Sequence, residues 1–173
     1  IVGVVEPTCR RAAERTRSGK IGLIATHASV RSGVYERTIA ELDPAAYVLD
    51  PLPNMTPQQV AERMPVLIDI IRAARPRTPI VLVEHLLYPN LRFRKEKAAD
   101  VAAANASLRQ IQEARRKGGD TRITIVPSAR LLGSDGDGRV DDSHPTELGF
   151  ARMVDGLEPY LRRVLSSREP RRR

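Results

Sequence analysis

The sequence predicts an α/β protein, a three-layer sandwich in which helices cover both faces of a five-stranded, mainly parallel sheet. Three observations carry that expectation. Five short apolar runs, rich in β-branched residues, recur along the chain. Segments with helical spacing lie between them, so strands and helices alternate. Most of the runs are continuous rather than alternating, which is what a strand covered on both faces requires.

The five runs are Ile1–Val5, Ile21–Ala25, Tyr47–Leu49, Ile80–Val83 and Ile123–Val126, each too short for a helix. Arg10 to Ser18 forms a short polar helical segment, and Val34 to Leu42 a second. Gln58 to Arg75 places Val60, Met64, Leu67, Ile68 and Ile71 on one stripe, with Pro65 expected to kink or break it. Lys97 to Arg116 carries Val101, Leu108 and Ile111 on one face, and Gly118-Gly119 stops it. Thr146 to Leu165 carries Phe150, Val154, Leu157, Leu161 and Val164. Pro145 suits its first position and Glu147 its first turn. Right-handed crossovers then bring the carboxyl ends of all strands to one edge. In such flavodoxin-like sheets the site lies just beyond that edge.

The 173 residues suit a single domain, expected over 1–167, with a basic, disordered tail at 168–173. Apolar residues make up 41% and aromatics 3%, with no Trp, so Ala, Val, Ile and Leu must build the core. The formal charge is +8, to which the tail contributes four Arg against one Glu. No basic helix with interleaved aromatics accompanies that charge, which argues against nucleic-acid binding as the main function. The single cysteine, Cys9, excludes an intrachain disulfide. No Cys/His cluster has zinc-site spacing, and no metal or cofactor is expected. No apolar run is long enough to span a membrane. The start lacks the charged segment of a signal peptide, which slightly favours the cytoplasm for a chain that begins with Ile. Nothing in the pattern specifies an oligomeric state.

Chemistry concentrates in Val140-Asp141-Asp142-Ser143-His144-Pro145-Thr146-Glu147-Leu148-Gly149-Phe150. A histidine titrates near neutral pH and can take and return a proton. It needs a partner to hold one tautomer. An aspartate three residues earlier, on a loop before a helix, can fold back to do so. The same residue types are also ordinary helix-start residues, so spacing alone leaves both readings open.

The wider pattern resembles the SGNH (GDSL-like) ester hydrolase family. Asp-x-Ser-His-Pro-Thr-x-Leu-Gly-Phe is similar to that family's last sequence block. Tyr47-Val48-Leu49-Asp50-Pro51-Leu52-Pro53-Asn54-Met55-Thr56-Pro57 resembles a branch with Leu-Pro-Asn-Met after its third strand. Pro79 to Glu84, then Tyr88-Pro89-Asn90 and Asn105-Ala106-Ser107-Leu108, resemble the same branch. The likeness covers roughly residues 41–165. It implies that Asp141 and His144 are the acid and base, that Asn54 is the oxyanion-hole amide, and that Asn90 lies at the substrate. A side-chain N–H placed beyond a strand end can donate to a developing oxyanion, which supports the role of Asn54.

The family's Gly-Asp-Ser block, which carries its nucleophile, is missing. Residues 1–40 instead resemble an internal segment of glutamate or aspartate racemase, through Val2-Gly3-Val4-Val5-Glu6-Pro7 and the stretch Gly19 to Glu36. That likeness makes Thr26 a carboxylate-contacting residue, with Ser29 where a second Thr is usual. The chain thus reads as two α/β families joined near Glu41 to Pro44. If Ile1–Val5 replaces the hydrolase's first strand and Ile21–Ala25 its second, Thr8 and Cys9 follow the first, and His27 and Ser29 the second. Cys9 and Ser29 are then the nucleophile candidates, and Thr8 a substrate contact.

The expected function is hydrolysis of a small-molecule ester or acyl substrate, impaired if no nucleophile is aligned. The alternative is a non-catalytic α/β module that binds a small acid or a protein partner. A glutamate- or aspartate-racemase activity is less favoured, because that family's two-base mechanism uses two cysteines.

Overall fold

The structure, a computed structural model, describes residues 46–87, 91, 93–141 and 144–166, with the backbone of 22–25. Four strands are described there: β1 (Gly22–Ala25), β2 (Ala46–Leu49), β3 (Ile80–Val83) and β4 (Ile123–Val126). They form one sheet in the order β1-β2-β3-β4, with every pairing parallel. Three helices are described with them: α1 (Pro57–Ala74), α2 (Lys95–Lys117) and α3 (Glu147–Ser166). The fifth expected strand, Ile1–Val5, lies outside the described residues. So do the helical segments expected at Arg10 to Ser18 and Val34 to Leu42, and the tail.

Two apolar clusters make the layers. Tyr47, Leu49, Ile80, Leu82 and Ile123 point to one face and pack with Val60, Met64 and Ile68 of α1 and with Ala104 and Leu108 of α2. Ala46, Val48, Val81, Val83 and Val126 point to the other, against Leu157, Leu161 and Val164 of α3. Successive strand residues serve opposite faces. Every residue of β2 and β3 is therefore buried, which is why those runs read as unbroken apolar segments.

The pairing corrects one expectation. β1 lies beside β2, in register Gly22↔Ala46 to Ala25↔Leu49. β2 is the third apolar run of the sequence. In the flavodoxin-like order 2-1-3-4-5 the neighbour of the third strand is the first, while the second is at the edge. Gly22–Ala25 therefore occupies the place of the first strand, not the second.

Of the expectations attached to the prolines, a break at Pro65 and a helix start at Pro145 are not seen. α1 runs unbroken through Pro65. The proline removes the donor for the carbonyl of Ala61, but Ala61 is exposed, where water can serve it. The buried stripe from Val60 to Ile71 keeps its phase across the site, and Arg115 of α2 donates to the Pro65 carbonyl at 2.9 Å. Thr56 and Gln59 close a reciprocal capping box at the start of α1. Pro145 is not the first residue of α3. The helix begins at Glu147, because the Thr146 hydroxyl accepts the Gly149 N–H at 3.0 Å and so caps it, leaving Pro145 in the loop. The inward stripe of α3 is also rotated from the expected one. Met153, Leu157, Tyr160, Leu161 and Val164 face the sheet, whereas Phe150 and Val154 are 57% and 62% exposed.

At the amino edge of the sheet, Arg72 of α1 clamps Asp120 through two donors at 2.6 and 3.1 Å and also reaches the Thr78 carbonyl. That fastening lies away from the carboxyl edge, where the chemistry-bearing residues gather. Among the described residues no helix is long and apolar enough to cross a membrane.

Candidate active site

Register fixes what stands on the carboxyl edge. Leu49, Val83 and Val126 end their strands, with Leu49 paired to Leu82 and Val83 to Val126, so Asp50, Glu84 and Pro127 are the first residues beyond them. Each opens a segment that shapes the rim.

After β2, Leu52–Asn54 form a single 3-10 turn. Leu52 is fully buried and Met55 nearly so, and these two anchors leave Asn54 exposed between them. Asp50, at the base of this segment, is mostly buried. Among the described residues its Oδ1 has no hydrogen-bond partner, and desolvation raises its pKa to about 6.

After β3, Glu84 is 1% exposed. One of its oxygens takes the Arg109 guanidinium at 2.5 Å. The other takes the backbone N–H and hydroxyl of Ser128 at 3.1 and 3.3 Å. This carboxylate therefore joins the exits of β3 and β4 to α2. The next residue, His85, is buried, and Asn105 of α2 holds its backbone. The Asn105 Oδ1 accepts the His85 N–H at 2.7 Å, and its amide donates to the His85 carbonyl at 3.3 Å. The His85 ring donates from Nδ1 to the Leu86 carbonyl at 3.0 Å. Burial lowers the His85 pKa; the Leu86 carbonyl works against that, and the Lys97 and Arg139 cations add to it.

The segment from Gly138 to Thr146 is a narrow loop closed by its own backbone. Arg139 and Pro145 form an antiparallel bridge, Val140 N–H donates to the His144 carbonyl at 2.8 Å, and Thr146 N–H to Gly138 at 3.0 Å. Asp141 and His144 stand at its tip. The Asp141 carboxylate accepts the His144 backbone N–H at 2.7 Å with one oxygen and faces His144 Nδ1 at 2.8 Å with the other. An ionised carboxylate there selects the tautomer protonated at Nδ1, so Nε2 is the basic nitrogen. The pair is open to solvent, the two side chains being 56% and 77% exposed. Upstream, Arg152 of α3 grips Asp135 through two contacts of 2.6 Å, which holds the Asp135 pKa down to about 2.

Asn54 follows β2 at the carboxyl edge of the sheet, and the Asp141–His144 loop is tied to the segment that follows β3. A cavity of about 320 Å³ is lined by Asn54 and by His85. Two residues beyond His85, the Leu87 carbonyl accepts from the Arg139 guanidinium, at the foot of the His144 loop. The other expected site residues, Ser29, Cys9, Thr26, Thr8 and Asn90, lie outside the described residues. The sequence reading left Asp50, His85 and Lys97 without a role. The available signal was positional, since Asp50 and His85 fall within two residues of a strand's carboxyl end. Among the described residues, no group of three or more His, Cys, Asp or Glu is placed to hold a metal ion.

Comparison with known proteins bears on this rim. A model of the GDSL-like lipase/acylhydrolase family matches residues 25–162. A protein described as a GDSL-like lipase from Bacteroides ovatus superposes with a TM-score of 0.68 at 28% identity, over 75% of this chain and 38% of its own. A salicylyl-acyltransferase of a tetracycline biosynthetic pathway shares the fold, with a TM-score of 0.59 at 21% identity over 77% of this chain and 41% of its own. A GDSL-like lipase from Bacteroides thetaiotaomicron also shares it, with a TM-score of 0.59 at 14% identity over 92% and 96%. The N-terminal part is similar to glutamate racemase: the enzyme of Corynebacterium kroppenstedtii is 52% identical over 44 residues, 25% of this chain and 15% of that protein. The chain thus spans less than a fifth of that racemase and under half of the B. ovatus protein.

Proposed function

The chain belongs to the GDSL-like lipase/acylhydrolase family, and from that premise we propose that it hydrolyses a small-molecule ester by acyl transfer through an enzyme-bound acyl group. The observation that carries this reading is the 2.8 Å contact between Asp141 and His144 Nδ1; Asn54, just beyond β2 at the carboxyl edge of the sheet, supports it.

In this reading His144 Nε2 is the general base, Asp141 its orienting partner and Asn54 the oxyanion donor. The place of β1 in the sheet favours Ser29 as nucleophile over Cys9. The family's nucleophile follows its first strand, and the segment that follows β1 begins at Thr26 and includes Ser29. The Ser29 hydroxyl attacks the ester carbonyl and His144 takes its proton. Asn54 donates to the oxyanion, and the intermediate expels the alcohol, which leaves with the proton from His144. Water, deprotonated by the same imidazole, then releases the acid and restores Ser29.

The test is turnover of p-nitrophenyl acetate by the parent chain and by His144→Ala, together with labelling by a fluorophosphonate. The expected outcome is a loss of about 10²–10⁴-fold in rate and a phosphonyl adduct on Ser29 by mass spectrometry. An adduct on Cys9 would move the nucleophile. Equal rates in parent and variant would remove the hydrolase reading and favour a non-catalytic binding module.

A further inference from the structure

Charge is distributed unevenly between the two edges of the sheet. The segments 75–79 and 115–122 stand at the amino edge, where they lead from α1 into β3 and from α2 into β4. Together they hold six cations against one carboxylate, Asp120. Arg72 already holds that carboxylate, at 2.6 and 3.1 Å. Arg115 pairs with Asp69 at 2.6 Å and Arg116 with Glu113 at 2.8 Å. Lys117 is 73% exposed and reaches Glu113 only at 3.8 Å. Arg77 and Arg122 are exposed and make no ion pair among the described residues. The two segments are tied together, since the Arg122 guanidinium donates to the Arg77 carbonyl at 3.2 Å. α3 brings more charge to the same edge. It starts beside the His144 loop and runs back for 20 residues, and its Val164 joins the cluster that contains Ala46, the first residue of β2. Arg163 sits over the Tyr160 ring at 5.9 Å, and beyond Ser166 the sequence adds four Arg against one Glu. The sign is opposite around His144, where residues 133–147 hold five carboxylates against Arg139 alone.

Exposed cations gathered at one end of a molecule attract anionic surfaces, and carboxylates at the other end orient the approach. We infer that the amino edge is a docking surface for an anionic lipid bilayer, with the His144 loop turned to the solution. Two features favour a bilayer over a nucleic acid. The cations lie on separate turns and at helix ends rather than along one helix or groove, so they meet a broad plane of charge together. The segments 75–79 and 115–122 also contain no aromatic residue to stack on a base. Neither segment holds a large apolar residue to insert, so contact stays at the headgroups and is weakened by salt.

The experiment is co-sedimentation with vesicles of phosphatidylcholine alone and of phosphatidylcholine mixed with phosphatidylglycerol, at low and at high salt. The parent is expected to bind the anionic vesicles only and to be released by salt. Three amino-edge cations are then neutralised together, as Arg77→Gln, Lys117→Gln and Arg122→Gln. Affinity should fall by about 10-fold or more, since each cation near an anionic surface contributes about 5-fold. The control neutralises Arg94, Lys95 and Arg130, exposed residues at the other end of the fold, for the same change in net charge. It should lose about 2-fold or less, because charges beyond a Debye length from the surface are screened. All six side chains are exposed, so both variants are expected to fold, which circular dichroism checks. If a triple variant melts early, Arg77→Gln read against Arg94→Gln serves instead. Hydrogen exchange on the vesicles reads the orientation without any need of turnover. Protection of 75–79 and 115–122, and none of 138–146, is expected. The proposal is overturned by absence of binding to anionic vesicles, by equal losses in the two variants, or by protection of the His144 loop instead. Tighter binding to duplex DNA than to the anionic vesicles at the same salt also overturns it, and gives this edge to a nucleic acid.

Discussion

Asn105 holds the backbone of His85 from both sides, accepting its N–H at 2.7 Å and donating to its carbonyl at 3.3 Å. A buried amide used this way fixes the exit of β3 against α2 through the His85 backbone. Replacing it strands two buried backbone groups. Asn105→Ala is therefore expected to cost about 1–3 kcal/mol in a urea titration. Asn105→Asp, which keeps the acceptor, should cost less at the His85 N–H but still lose the donor. Wild-type stability for Asn105→Ala would show that water replaces the clasp.

Asn54 offers a sharper test of chemistry than of stability. It is exposed, so Asn54→Ala should leave the melting temperature almost unchanged. If its amide serves the oxyanion, kcat falls by about 10²–10³ with little change in KM. A change confined to KM would reassign Asn54 to ground-state binding.

Asp50 sets an expected dependence of stability on pH. Its folded pKa is raised from 3.8 to about 6 by desolvation. The folded state therefore holds the proton more tightly than the unfolded chain does. Stability from this group is fully present below about pH 4 and is lost as the pH rises through about 6. Asp50→Asn should remove that decline and exceed the parent at pH 8 by roughly 2–3 kcal/mol. Urea midpoints at pH 4.5 and pH 8 measure it, and a parent equally stable at both would contradict the assignment.

Gly149 lets α3 approach the His144 loop. A Cβ at Gly149 would collide with the Gly138 carbonyl, the same oxygen that accepts the Thr146 N–H. Gly149→Ala is expected to cost about 1–3 kcal/mol and to lower kcat by displacing the loop. Gly156→Ala meets the Arg130 carbonyl instead. It should destabilise comparably while sparing kcat, as circular-dichroism melting and ester turnover can read in parallel.

Much of the fold was legible because burial writes itself into the residue pattern. The run Ile80–Val83 is apolar throughout because both faces of β3 are covered, and Val60 to Ile71 repeat at helical spacing because one face of α1 is. The prolines placed helix boundaries poorly for a physical reason. A proline reports only the donor it lacks, whereas Pro65 is tolerated through a buried stripe and an exposed Ala61, and Pro145 is displaced from α3 by the stronger cap, Thr146. Phe150 and Val154 misled because apolar spacing marks more than one face of α3, and packing against the sheet chose another. At the rim, the Asp141–His144 contact was foreseeable from a local spacing of three. His85 was not, because its place depends on Asn105, twenty residues away. The position of β1 was equally non-local, since strand order is decided by pairing and not by the order of runs along the chain.

The register between β1 and β2 is made by backbone groups, four residues against four. Such a seam is indifferent to ancestry. Any extended tetrapeptide of the right hand can be grafted there while α1, α2 and the Arg72 clamp keep the remaining strands in place. An N-terminal stretch akin to a racemase and a remainder akin to an acylhydrolase are thus compatible partners in a single sheet. A transplant across this seam leaves the His144 loop untouched and, in the proposed reading, exchanges only the segment that supplies the attacking group.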